Sequence, residues 1–322
     1  MIFAKDLTKE FPIFKRGKGF PGVFFIKERS KFTAVKSLDL SIEKGEFVAF
    51  LGPNGAGKTT TLKMLSGVLH PTEGEISVNG FVPYERKKQF KRDISFVMAQ
   101  KTQLFLELPV KDTFTFIGEI YDVPKSEYDK RISHMIERFD LGDKLETLGR
   151  KLSLGQRMKC ELVCALIYQP KVLFLDEPTI GLDINSAKEV RNFLTEINKE
   201  FGVTILLTTH NMSDVEELCN RTIVINKGEK VFDGSTSELK KLFGTKREIE
   251  FVVENPKQLI AQLQSNKDIV IMNSTESSVR ISCERSGASK IIAEIMNQVE
   301  VLDINFYDAD LADIVGKLYR QV

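Results

Sequence analysis

The chain has 322 residues, enough for about two domains with a well-buried core. Apolar residues make up 42% and charged residues 28%, as in ordinary globular proteins. The 46 Lys and Arg against 45 Asp and Glu leave a net charge of +1, which argues against a dominant nucleic-acid surface, because that needs a clearly basic domain.

One local exception runs from Lys15 to Lys31, where six basic residues meet only Glu28 and interleave with Phe20, Phe24 and Phe25. It reads either as a solvated loop or as a contact for lipid headgroups or a membrane partner. No run approaches the ~20 apolar residues of a bilayer crossing. The start, Met1 to Asp6, meets charge too early for a signal peptide, so the chain is expected to stay on the side where it is made. The cysteines Cys160, Cys164, Cys219 and Cys283 read as buried free thiols of a reducing compartment. A metal pair at Cys160 and Cys164, four apart on one helix face, is the alternative.

In chain order, Phe47–Leu51 is predicted to be a buried strand that enters a glycine-rich turn and then a helix from Thr59 to Ser66. Between Gln100 and Cys164 the pattern turns helical, with Tyr128, Ile132, Met135, Ile136 and Phe139 on one stripe and Ser126 with Asp129 as a capping pair. Val172–Leu175, Val203–Leu207 and Ile223–Ile225 read as further buried parallel strands. Ser186 and Glu189 are expected to cap a helix carrying Val190, Phe193, Leu194 and Ile197. Beyond Gly244 the order is strand Ile249–Val253, helix Pro256–Leu263, strand Ile269–Met272, strand Val279–Cys283, helix Ala288–Met296, strand Val301–Phe306 and a helix from Asp310. This βαββαβ order suggests a split βαβ domain. The expected division is an α/β domain over 1–244, with a helical insertion at about 100–165, and a small α+β domain over 245–322.

The strongest chemical signal is Gly52-Pro53-Asn54-Gly55-Ala56-Gly57-Lys58-Thr59, a match to G-x-x-x-x-G-K-[ST] between a strand and a helix. Its glycines let backbone N–H groups close on phosphates, and the positive end of the following helix favours their charge. Lys58 brings a cation to the β and γ oxygens, and the Thr59 hydroxyl, followed by Thr60, is placed to ligate Mg2+. Val172 to Asp176 is the matching apolar strand that delivers a carboxylate. Asp176 is the candidate Mg2+ anchor and Glu177 the candidate for orienting the attacking water. Asn226-Lys227-Gly228-Glu229 resembles the guanine-reading N-K-x-D but has Glu in place of Asp, and reads as a turn. Adenine, hence ATP, is therefore the expected base.

Leu152-Ser153-Leu154-Gly155-Gln156 looks like the ABC signature L-S-G-G-Q, with Gln156 lying 16 residues before Val172. The rest of the ABC order follows: Gln100 after a strand, Gly181-Leu182-Asp183 after Glu177, and His210 at the end of the next strand. The resemblance covers about residues 1–240. It implies a P-loop NTPase of the ABC ATPase type, with a mainly parallel sheet and an inserted helical subdomain. It implies that Gln100 touches the metal and senses the γ-phosphate, that His210 contacts that phosphate, and that Asp183 acts across a subunit boundary. Ser153, Gly155 and Gln156 would complete the ATP pocket of another subunit, which implies a homodimer or heterodimer. Leu154 departs from the signature's glycine, and Phe11 and Phe32 both stand as candidates for the adenine-stacking aromatic.

The wording of Leu152–Met158, Pro178–Asp183 and Thr208–Met212 is similar to ABC exporters of the ABC-2 type, whose membrane parts are separate chains. By that resemblance the partners are integral membrane permease subunits, no nucleic acid is expected, and the place is the cytoplasmic face of the cell membrane. The alternative is a soluble ABC ATPase acting on ribosomes or DNA. The groove from Gln100 to about Asp112 would receive a coupling helix of the membrane subunit, with Leu104, Phe105 and Leu106 either exposed for it or packed inside the helical block.

Overall fold

The computed structural model describes residues 1–15, 28–98, 101–243, 246–263, 266, 269–284, 286–308, 315–316 and 318–319. They form two units, Met1–Gly234 and Ser235–Val322.

The first unit is built on a six-stranded sheet. In spatial order its strands are Ile94–Met98, Val172–Asp176, Thr204–Thr208, Phe47–Leu51, Arg221–Asn226 and Glu229–Ser235. The first five are mutually parallel, and every residue of Phe47–Leu51 and Thr204–Thr208 is buried. Runs this apolar are what a sheet covered on both faces requires. The parallel register sets Asp176 beside Thr208 at the carboxyl edge, next to the turn that leaves Leu51.

A second sheet is antiparallel, a feature the strand–helix alternation did not predict. It holds Glu28–Ile42, Ile2–Lys15 and Glu73–Val78 in that order. Its inward residues, among them Ile2, Leu7, Val35 and Leu38, share one core with Phe50, Leu62 and Phe174, so the helix Lys58–Leu65 is wedged between the sheets. That helix begins one residue earlier than expected.

The helical block comprises Val110–Ile120, Lys125–Phe139 and Leu154–Leu166. Two expected caps fall elsewhere. Lys125–Phe139 starts after Pro124 with no side-chain cap, and Asp129 pairs with Lys125 at 2.7 Å instead. The helix Ile184–Phe201 is capped by Asp183, not Ser186. Asp183 stands at the cap position and its short carboxylate reaches the amides of Asn185 and Ser186 at 3.1 and 3.0 Å. Ser186 donates its hydroxyl back to Asp183 at 2.6 Å, and Glu189 pairs with Lys159.

The second unit opens with the helix Thr236–Phe243 and continues as strand Lys246–Val253, helix Pro256–Leu263, strands Ile269–Ser274 and Ser278–Glu284, helix Ala288–Gln298 and strand Val301–Asp308. Its sheet is antiparallel in the order 269–274, 278–284, 246–253, 301–308, the arrangement of a split βαβ fold. Ile249, Phe251, Val279 and Ile281 pack under Leu259, Ile291 and Ile295 of the two helices. Asp310 lies outside the described residues.

Among the described residues no helix is long and apolar enough to cross a membrane. All four cysteines are buried and free, and among the described residues no group of His, Cys, Asp and Glu gathers to hold a metal beside them.

Candidate active site

The phosphate loop turns from Leu51 into the helix that begins at Lys58. Gly57 has φ +105, and a Cβ there would sit 2.5 Å from the Ala34 carbonyl, so glycine is required on both counts. Lys58 is buried, and its Nζ donates to the Gly52 carbonyl at 2.6 Å and the Pro53 carbonyl at 3.2 Å. Burial lowers the ammonium's pKa, while the carboxylates of Glu177 and Asp176 partly offset that.

The Asp176 carboxylate receives the Thr59 hydroxyl at 3.0 and 3.2 Å and the Thr208 hydroxyl at 2.6 Å. A carboxylate and a hydroxyl brought together beside a phosphate loop are hard oxygen donors, and this set fits Mg2+. Glu177 follows with φ +58, a left-handed backbone that costs a side-chain-bearing residue roughly 1–2 kcal/mol. Its amide donates to the Thr208 carbonyl at 2.9 Å, and its Oε1 lies 3.0 Å from His210 Nε2. Lys58, Thr59, Asp176, Glu177 and His210 therefore converge from three separate strand ends. Gln100 lies outside the described residues.

Ser153, Gly155, Gln156 and Asp183 gather in a second group. Ser153 and Gln156 form a reciprocal capping box on the helix Leu154–Leu166, which starts two residues before the expected Gln156. Because Ser153 accepts the Gln156 amide, the donors left at this helix start are the amides of Leu154 and Gly155. Gly155 abuts the start of the helix Ile184–Phe201: a Cβ there would meet Ser186 Oγ at 2.5 Å. Hydrogen bonds from Ser186 and its amide hold the Asp183 carboxyl below the usual carboxylate range.

The turn at Lys227-Gly228 has φ of +48 and +85, as a two-residue hairpin needs. The Gly228 amide donates to the Ala56 carbonyl at 3.1 Å, so the segment braces the phosphate loop. Phe11 and Phe32 are direct cross-strand partners; Phe32 is exposed, and the Lys9 ammonium lies 5.3 Å over the Phe11 ring. Of the basic stretch Lys15–Lys31, residues 16–27 lie outside the described residues; Lys31 pairs with Glu10 at 2.6 Å.

In the helical block Leu104 is buried, whereas Phe105 and Leu106 are each 37% exposed, with Phe105 set edge-on to Phe116 at 4.9 Å. Sequence reasoning missed Glu161, a buried acid on the signature helix that accepts the Thr102 hydroxyl and the Gln103 amide. It also assigned no role to Thr208, whose contact with Asp176 spans 32 residues of sequence.

A phosphate loop closed by a buried lysine, an Asp-Glu pair at the next strand end and a histidine on the glutamate define a nucleoside-triphosphate hydrolase of the P-loop class. The family described as "ABC transporter" matches residues 35–180. The ABC transporter ATP-binding protein NatA of Bacillus subtilis (strain 168) is 35% identical over 215 residues, 67% of this chain and 87% of that one. The linearmycin resistance ATP-binding protein LnrL of the same organism is 29% identical over 280 residues, 87% of this chain and 89% of that one. Proteins named for import also match. A solved dimeric ATP-binding cassette, in a post-hydrolysis state with ADP and phosphate, superposes with a TM-score of 0.62 at 26% identity, over 73% of this chain and 98% of that one. The chain belongs to the ABC transporter ATP-binding proteins and is an ATPase of that family.

Proposed function

We propose that this chain powers an exporter whose membrane-spanning parts are separate ABC-2-type permease subunits, and that it works bound to them at the cytoplasmic face of the membrane. The observation that carries the chemistry is the 3.0 Å contact of Glu177 with His210 beside Lys58 and Asp176. Gly52 to Thr60 bind the phosphates through backbone amides, the helix start and the Lys58 cation. Thr59 and Asp176, with Gln100, would hold Mg2+, which would supply charge neutralisation to the phosphates. Glu177 orients the water that attacks the γ-phosphorus, and the bond to the β-phosphate oxygen breaks to leave ADP and phosphate. His210 holds Glu177 and reaches the γ-phosphate. Glu177→Gln is expected to keep ATP binding and lose most turnover; near-normal hydrolysis would overturn this assignment.

A second copy, or a related ATPase subunit, completes each pocket with Ser153, Gly155, Gln156 and Asp183. The free amides of Leu154 and Gly155 support an anion site there. The division 1–244 for the ATPase and 245–322 for an accessory domain belongs to the same proposal. The export direction is supported by the exporter-like wording around the signature, Glu177 and His210. The exposed Phe105 and Leu106 support docking of a permease. Fractionation at native expression tests the placement: recovery with an integral membrane protein is expected, and recovery with ribosomes or DNA would overturn it.

A further inference from the structure

We infer that Asp214 is a positioning residue that sets the Glu177–His210 pair, an inference resting on the roles proposed above for those two residues. Asp214 lies in the short helix Met212–Leu218 and is fully buried. Its Oδ2 accepts two hydroxyls, from Thr179 at 2.5 Å and from Thr209 at 2.8 Å. Thr179 is two residues past Glu177, and Thr209 immediately precedes His210. Both threonines are themselves buried. One carboxylate oxygen thus fastens the segment that carries the glutamate and the segment that carries the histidine to a common point.

The other oxygen is engaged as well. Asp214 Oδ1 accepts Arg191 Nη1 at 3.1 Å, and Arg191 Nε donates to Glu217 at 2.8 Å. The guanidinium faces this buried carboxylate, and both of its oxygens are engaged as acceptors. Thr209 is oriented further: its hydroxyl accepts the Asn211 amide at 3.0 Å while donating to Asp214.

The need for a brace is visible at Glu177. Its left-handed backbone persists only where the surroundings over-determine it. The Thr208 carbonyl fixes one side of that residue, and the Glu177 carbonyl takes the Ile180 amide at 3.2 Å on the other. Thr179 lies inside this second turn, and its bond to Asp214 pins the turn to the histidine's segment. The strand pairing and the Thr208–Asp176 bond hold the two segments together up to residues 176 and 208. Beyond that point the shared oxygen adds to the Glu177–His210 contact and the backbone bond from the Glu177 amide to the Thr208 carbonyl. Small displacements there move the group that orients the attacking water, and rate depends steeply on such placement.

The test uses the full chain and deletes one strut at a time, because removing Asp214 itself would strand Arg191 in the interior. Thr209→Val and Thr179→Val keep shape and remove the hydroxyl. Each is expected to lower kcat for ATP by about tenfold or more while leaving KM within about twofold. Thr209→Ser and Thr179→Ser should restore most of the rate. In single-turnover measurements, Thr209→Val should add no further loss in a His210→Ala background, since its effect runs through His210. Unchanged kcat in the folded valine variants, failure of serine to rescue, or losses that add in the His210→Ala background would overturn the inference. If Glu177→Gln and His210→Ala themselves keep normal turnover, the proposed roles of those residues fail first. If both lose it while the valine variants do not, the brace alone fails.

Discussion

Gly155→Ala adds one methyl group at the point where the signature helix meets the helix that follows Asp183. That carbon would lie 2.5 Å from Ser186 Oγ and 2.8 Å from Ser186 Cβ. The hydroxyl cannot swing aside freely, because it donates to Asp183 at 2.6 Å. Overpacking of this kind costs about 1–3 kcal/mol, and alanine's better helix propensity returns up to about 1 kcal/mol. With the full return subtracted, the net loss of up to about 2 kcal/mol corresponds to up to about 8 °C in Tm for a unit of this size. Calorimetry of the full chain reads it directly. Ser186→Gly removes both obstructing atoms, so in that background Gly155→Ala is expected to cost nothing or to stabilise. A full-sized loss that persists with Ser186→Gly, or a higher Tm for Gly155→Ala alone, would refute the packing account of this glycine.

Burial raises the Glu161 carboxyl above its ordinary value of 4.5, against the pull of its hydrogen bonds to Thr102 and Gln103. A carboxyl that binds its proton more tightly when folded makes the wild type lose stability as pH rises from 4.5 through the raised value. The Tm advantage of Glu161→Gln should therefore grow over that range, and a constant or shrinking gap would contradict it. Burial also raises the thiol of Cys160 to about 12 and pushes up Cys164 and Cys219. A thiol reagent at pH 8 should leave all three unlabelled until the chain unfolds, and rapid labelling of the native protein would count against their burial. A chain ending at Gly244 should still bind ATP, because every proposed nucleotide contact precedes that point; loss of binding by the folded truncation would show that the division is wrong.

What was legible in the sequence was local. The phosphate loop follows from eight contiguous residues, the acidic strand end from five apolar-to-acidic ones, and the turn at Lys227-Gly228 from its dipeptide. Features that depend on distant partners were not legible. The antiparallel sheet pairs Ile2 with both Ile42 and Val78, and no short window displays that pairing. Two cap positions were misjudged: Asp183 takes the amides expected of Ser186 at its helix, and Lys125–Phe139 starts after Pro124 with no side-chain cap. Asp214 reads as one more charge on a polar helix start. Only the fold brings it beneath threonines 35 and 5 residues away in sequence.

If ATP is held and hydrolysed in a pocket shared between two ATPase subunits, light scattering on Glu177→Gln will register the pairing. With ATP and Mg2+ the variant is expected to shift from the mass of one 36.5 kDa chain to twice that mass. Adding Ser153→Arg should block the shift while ATP remains bound to each separate chain. A single-chain mass under saturating ATP, with membrane partners present as well as without them, would contradict the shared site.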